Sequence, residues 1–280
     1  MLTSIEVESP GARDILQLPI EESEDPLQRN NYHVLGVDGL DPVKASFAST
    51  NLANADGIYI QSSRLDVRNL VLTLGMNPDY ADNSVQELRT RLYRYFMPKS
   101  EIKLQFIDSD YVAKTISGYV ESMETPIFVK EPRVSVSILC PNPDFSSVED
   151  SVETLQTTAN SDRFTLNYSG SAPTGFIFRC NTGTDYLNAF RIEVQSEQGN
   201  IQTFSYNDST SPGMAVEVDT RMGYRKVMVY DNGPGMPRLY NVAIGSVWPQ
   251  LYPGSNLIRV YSIGNPINYT LTYNAQFGGL

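Results

Sequence analysis

At 280 residues the chain is long enough for two domains of ordinary size. Its formal charge of −11 and pI near 4.6 exclude the basic footprint of a nucleic-acid-binding module. The opening MLTSIEVESPG lacks the basic start and apolar core of a secretion signal. No apolar run approaches the ~20 residues of a membrane helix, so a soluble product made in the cytosol is expected.

Charged residues make up only 19%, while 17 Tyr, 19 Gly and 17 Pro favour many short strands and turns. Tyr also suits interfaces, where an apolar ring and a polar tip are both useful. The charge is uneven. Residues 1–145 hold 13 Lys+Arg against 21 Asp+Glu, a net of −8, and residues 146–280 hold 8 against 11, a net of −3.

In chain order, LTSIEVE at 2–8 reads as a strand stopped by Ser9-Pro10-Gly11, and a short apolar piece follows at Ile15 to Ile20. An acidic stretch, Glu21 to Asp25, ends at Pro26. Tyr32 to Ser49 predicts strand, Asp38-Gly39 turn and strand. Residues 51–63 are polar, with a turn signal at Asp56-Gly57. Arg64 to Gly75 predicts one strand, apolar on both faces in its second half.

One helix is expected at Ser84 to Phe96. Val85, Leu88, Leu92 and Phe96 fall on one face, Ser84 and Glu87 form a capping box, and Pro98 stops the run. Arg89, Arg91 and Arg94 lie off the apolar stripe, as a solvated basic face or a contact for an acidic neighbouring subunit. Ile102, Leu104 and Phe106 alternate, Val112 to Met123 carries Gly118 as a possible bulge, and Val134, Val136, Ile138 and Cys140 share a buried face. Residues 141–163 turn polar and acidic behind two prolines and mark the domain junction. From Phe164 onward, Phe176/Phe178/Cys180, Phe190/Ile192/Val194, Met214/Val216/Val218 and Tyr269/Leu271/Tyr273 alternate with polar neighbours, the pattern of an antiparallel sandwich or jelly roll.

The chemistry of a catalyst is sparse. His33 has no marked nucleophile beside it. Cys140 and Cys180 with one His cannot make an ordinary zinc site, and two isolated thiols make no disulfide framework. Phosphate-binding glycine motifs are absent, and Asp231 to Gly235 reads as a hairpin turn. Asn77, Asp79, Asp82 and Asn83 lack EF-hand spacing and read as a solvated loop before the helix. Asp108 and Asp110 are a chance pair rather than facing catalytic carboxylates. Trp248, with Tyr252 nearby, is a core or domain-contact aromatic, the alternative being a sugar-stacking ring. No catalytic, cofactor-binding or metal-ligating residue is assigned, and no cofactor.

Several segments together resemble the siphophage distal tail proteins. YHVLGVDGLDPVKASF resembles their early strand-turn-strand, and ELRTRLYRYFMPKSEIKLQF their single helix and following strand. GYVESMETPIF with VSVSILCPNPDF resembles the end of their N-terminal domain. CNTGTDYLNAFRIEV, VEVDTRMGYRKVMV and WPQLYPGSNLIRV resemble their galectin-like C-terminal domain. Residues 141–163 and the acidic piece near Glu21 fall outside the likeness.

The resemblance implies a mainly β chain with one helix: a ring-forming, β-sandwich-like domain at 1–143, a linker at 144–163 and a galectin-like antiparallel sandwich at 164–280. It implies a hexameric ring at the tail end that joins the tail tube to the hub and can dock receptor-binding proteins. DNA would pass through without specific binding, and an acidic ring-forming half suits that passage because Lys and Arg contacts dominate nucleic-acid affinity. No enzymatic activity and no membrane insertion are expected. Ring closure needs two different patches per subunit, and Arg89, Arg91 and Arg94 facing Glu21, Glu22, Glu24 and Asp25 of a neighbour is one pairing. The competing reading is a carbohydrate-binding adhesin module for a host surface glycan. A glycan-degrading enzyme ranks third.

Overall fold

The computed structural model describes all residues except 21–29, 52–55, 80–82, 127–130, 158–160 and 183–185. Two compact units emerge, Met1–Val148 with Gly278–Leu280, and Glu149–Phe277. The C-terminal unit is thus an insertion, since the last three residues return to the first unit.

The first unit holds β1 (Leu2–Glu8), β2 (Leu16–Pro19), β3 (Tyr32–Asp38), β4 (Ala45–Asn51), β5 (Ile58–Leu65), β6 (Arg68–Met76), α1 (Val85–Leu92), β7 (Glu101–Asp108), β8 (Ala113–Glu124), β9 (Arg133–Cys140) and β10 (Phe145–Ser147). Its main sheet runs β2-β1-β7-β8-β9-β6-β3, antiparallel throughout. The first half of β8 also pairs with β10, its second half with β9.

Period-two alternation puts Ile5, Val7, Leu70, Leu72, Leu74, Ile102, Leu104, Phe106, Val134, Val136 and Ile138 on buried faces. The helix buries Leu88 and Leu92, and the turn after it buries Tyr95 and Phe96. Ser84 Oγ accepts from Glu87 N at 3.3 Å and Ser84 N donates to Glu87 Oε2 at 2.8 Å, the reciprocal cap expected from the sequence. The buried Tyr32 hydroxyl donates to Leu88 O at 2.9 Å, and burial pushes its pKa up to about 12.

The second unit holds β11 (Ser151–Gln156), β12 (Ser161–Tyr168), β13 (Phe176–Asn181), β14 (Leu187–Ser196), β15 (Ile201–Thr210), β16 (Ala215–Asp219), β17 (Lys226–Tyr230), β18 (Met236–Pro237), β19 (Gly254–Gly264), β20 (Asn268–Tyr273) and β21 (Gln276–Phe277). One sheet runs β11-β20-β13-β16-β17-β18 and the other β12-β19-β14-β15. Their inner faces share one core in which four rings stand in file. Tyr206 and Phe190 of the smaller sheet lie 5.2 Å apart, Phe190 and Phe178 5.3 Å, and Phe178 and Tyr269 of the larger sheet 5.2 Å. Tyr206 donates to Asp208 Oδ2 and Tyr269 to Asp162 Oδ2, so both phenols at the ends of the file are satisfied.

The fold is mainly β with one α-helix and curled antiparallel sheets, as read from the sequence. Three local readings need correction. Residues 144–163 are not simply a linker: β10, β11 and the start of β12 lie there. The strand placed at Arg64 to Gly75 is two strands, β5 and β6, parted at Asp66-Val67 where the sheet ends and a ribbon begins. Gly118 is not a bulge. It pairs in register with Ile102, and an added Cβ would sit 2.7 Å from Cys140 Sγ, so it permits close approach; the irregularity falls between Val120 and Ser122. The Asp231 to Gly235 turn does join two paired strands, β17 and β18.

Candidate functional site

The most exposed regular structure is the β4–β5 ribbon, inserted between the paired strands β3 and β6. Among the described residues its two strands pair only with each other, from Ala45↔Leu65 to Asn51↔Ile58. Every residue of β5 is exposed, and Phe47 (58%), Ile58 (61%), Tyr59 (60%) and Ile60 (51%) face solvent. A lone two-stranded ribbon is at best marginally stable in water, and an exposed apolar patch marks an interaction surface.

The ribbon's root is fixed. Ser46 Oγ donates to both carboxylate oxygens of Asp66 at 2.7 and 2.8 Å, and Asp66 N donates to Lys44 O. Beside it lies Arg68, 1% exposed. Its guanidinium donates to Pro143 O at 2.6 Å, Asp41 O at 2.7 Å and Gly278 O at 2.6 Å, and to Gly39 O, and it lies 4.4 Å over the Phe145 ring. A buried charge is tolerated only when so paired. Burial lowers its pKa, opposed by Cys140, Asp144 and Asp41, and an Arg stays charged regardless. Gly39 has φ +89 there, and a Cβ would meet Asn69 O at 2.1 Å. One side chain thus ties the ribbon root, the end of the sheet and the returning C-terminus.

The basic face of α1 is partly committed within the unit. Arg89 donates to Pro126 O at 2.7 Å and Arg91 to Asn83 Oδ1 at 3.3 Å. Arg91 and Arg94 line an open cleft with Ser84, Gln86, Glu87 and Thr90. Glu21, Glu22, Glu24 and Asp25, their expected partners, lie outside the described residues.

The other candidates take structural places. His33 Nδ1 lies 3.2 Å from Asn77 Nδ2 and covers Gly75, where a Cβ would come within 2.3 Å of its ring. Asp108 Oδ1 accepts from the backbone N–H of Asp110 and Val112, closing the β7–β8 turn, so the two acids do not face each other across a cleft. Asn77 donates to Asn30 O, Asn83 accepts from Arg91, and Asp82 lies outside the described residues. No group of three metal-binding side chains occurs among the described residues.

Cys140 and Cys180 are buried free thiols whose pKa burial pushes up to about 11 and about 12. Trp248 packs on Phe204 with ring centres 5.2 Å apart, against the sandwich core, while Tyr252 accepts from Gln202. No helix among the described residues is long and apolar enough to cross a membrane. Sequence reasoning missed the ribbon's exposure and the buried Arg68. The only signal was a charged residue, Arg68, standing where alternation predicts an inward side chain.

The described residues thus form an antiparallel sandwich, a curled sheet and an exposed apolar ribbon. Residues 169–277 match the family model described as the siphovirus-type tail component, C-terminal domain. The Dit protein of phage SPP1, described as a paradigm of the hub adsorption apparatus in phages infecting Gram-positive bacteria, shares the fold. Its TM-score is 0.63 at 18% identity, over 88% of this chain and 94% of that one. A chain of the phage P2 baseplate in its activated, calcium-bound conformation aligns at TM-score 0.48 and 7% identity, over 100% of both chains. No curated protein sequence matches. The family model covers residues 169–277, and over the rest of the chain the likeness to the phage Dit protein is one of fold.

Proposed function

We propose that the chain builds a homo-hexameric ring at the distal end of the tail, that this ring joins the tail tube to the hub, and that it offers an outer surface to receptor-binding proteins. The domain split into a ring-forming N-terminal part and an outward sandwich belongs to the same proposal, as does the absence of enzymatic activity.

The observation that carries the ring is the β4–β5 ribbon. Among the described residues its apolar side chains stand exposed, its two strands pair with each other, and Ser46 and Asp66 hydrogen-bond at its root. A protruding arm and a separate receiving surface are the two unlike patches that a head-to-tail closed ring requires. The acidic excess of residues 1–145 suits a channel through which DNA slides, because it supplies few phosphate partners.

Changing Phe47, Ile58 and Ile60 together to Ser tests this. Surface changes of this kind stay within ~0.5 kcal/mol of wild-type stability. The folded subunit should persist while rings vanish from images of assembled tail tips. Six-fold rings of the triple variant, or a peripheral spike or three-fold copy in wild-type tails, would overturn the reading.

A further inference from the structure

The outer face of the smaller sheet carries charge that its own fold does not balance. Register sets Arg163 of β12 directly opposite Arg259 of β19, and Arg259 opposite Glu193 of β14. One row along, Tyr261 stands between Ser161 and Arg191, and Arg191 stands opposite Ser205 of β15. Three arginines thus surround one glutamate, in a chain whose net charge is −11. Like charges directly opposite on neighbouring strands destabilise a sheet. The Arg163 backbone N–H donates to Asp162 Oδ1 at 2.8 Å, and the ion pairs to Glu193 come from Arg191 and Arg259.

The other groups are held in place. Glu193 is largely covered and receives Arg191 Nε at 3.2 Å, Arg259 Nη1 at 3.8 Å and the Tyr261 hydroxyl at 3.4 Å. The Arg191 guanidinium carbon lies over the Tyr261 ring, 4.4 Å from its centroid. These contacts fix the direction of the remaining guanidinium N–H donors. Thr203 continues the row of Glu193, and Thr165 lies one row further along β12, opposite Leu257.

A protein interface is anchored by buried apolar and aromatic side chains at its centre, whereas the centre of this face is polar. Oriented donors, short hydroxyls and one aromatic edge suit a hydroxylated ligand, and the surplus positive charge suits an anionic one.

We propose that the outer face of β12-β19-β14-β15 binds an acidic saccharide, with Arg163 and Arg259 taking its carboxylate or phosphate and Arg191, Tyr261 and Glu193 ordering the site. The site is independent of ring formation. Isothermal titration of the full chain tests it with three probes: tetragalacturonate, phosphorylated maltotetraose and neutral maltotetraose. At least one acidic probe should bind, the neutral sugar should bind at least about tenfold more weakly, and the contrast between the two acids identifies the anion. Arg163→Gln with Arg259→Gln should weaken binding about tenfold or more, the loss of charge-assisted hydrogen bonds, while Arg179→Gln on the other sheet leaves it unchanged.

Glu193→Gln separates an ordered site from a merely positive patch. It raises the positive charge but releases the arginines, so weaker binding supports the proposal. Tighter binding of that variant would overturn it, as would equal binding of the neutral sugar, no binding of either acid, or full retention after loss of the arginine pair. An acidic protein seated on this face in assembled tails, with neither acid bound, would also overturn it.

Discussion

The C-terminal sandwich and the β4–β5 ribbon use similar side chains to opposite ends. In the sandwich, Phe178, Phe190, Tyr206 and Tyr269 meet across two sheets and are nearly inaccessible. In the ribbon, Phe47, Ile58, Tyr59 and Ile60 are more than half exposed on a strand pair. One set stores folding free energy inside the subunit; the other is held out, available to a second surface. Apolar content therefore does not reveal whether a segment stabilises a subunit or an assembly. The pairing partner of the strand decides that.

The contrast can be broken from the sandwich side. Phe178→Ala should cost ~3–5 kcal/mol, the usual penalty for emptying a buried aromatic site. In denaturant unfolding, that loss should move the transition of the C-terminal unit and leave the N-terminal one in place; a joint shift would show that the two units unfold as one. Leu92→Ala, under the helix, should cost ~2–5 kcal/mol and move the N-terminal transition instead. An unchanged midpoint would mean the helix contributes no core.

Arg68→Met sharpens the comparison at the ribbon's root. It fills similar volume but leaves carbonyls of Gly39, Asp41, Pro143 and Gly278 without their donor. A loss of about 2–3 kcal/mol is expected, with faster hydrogen exchange at residues 39–41 and 278–280. Retained protection there would show that other contacts hold the root. Ser84→Ala should have the smallest effect, ~0.5–2 kcal/mol from the lost cap. Because its hydrogen bonds to Ser84 hold Glu87 below the ordinary carboxylate range, the cap contributes above the ordinary Glu pKa and fades as pH falls through the lowered one. The gap between variant and wild type should therefore narrow in acid without closing, because the bond from Glu87 N to Ser84 Oγ does not titrate.

Much of this was legible in the sequence. Alternation marked most strands of the sandwich, and Ser84 with Glu87 marked the helix start because capping is a local matter of three residues. The ribbon's exposure was not legible, since an exposed strand can carry the same apolar residues as a buried one. Residues 151–156 read as linker because an edge strand with five exposed positions has no buried face to betray it. Arg163, Arg191 and Arg259 lie far apart in the chain and become neighbours only through strand register. Trp248, read as a core or domain-contact aromatic with sugar stacking as the alternative, packs on Phe204.

The return of the chain to the first unit at Gly278 has a mechanical corollary. A domain hung on one linker is lost with one cut, whereas a domain spliced into its host is held by two covalent crossings. A nick near Val148 would leave the sandwich attached through Gly278 and the Arg68 clamp. Pulling force on the sandwich would divide between two chain segments rather than load one. The same arrangement makes the sandwich an exchangeable cassette: a different β domain spliced between Val148 and Gly278 would leave the host its own last three residues, and with them the lock on its ribbon.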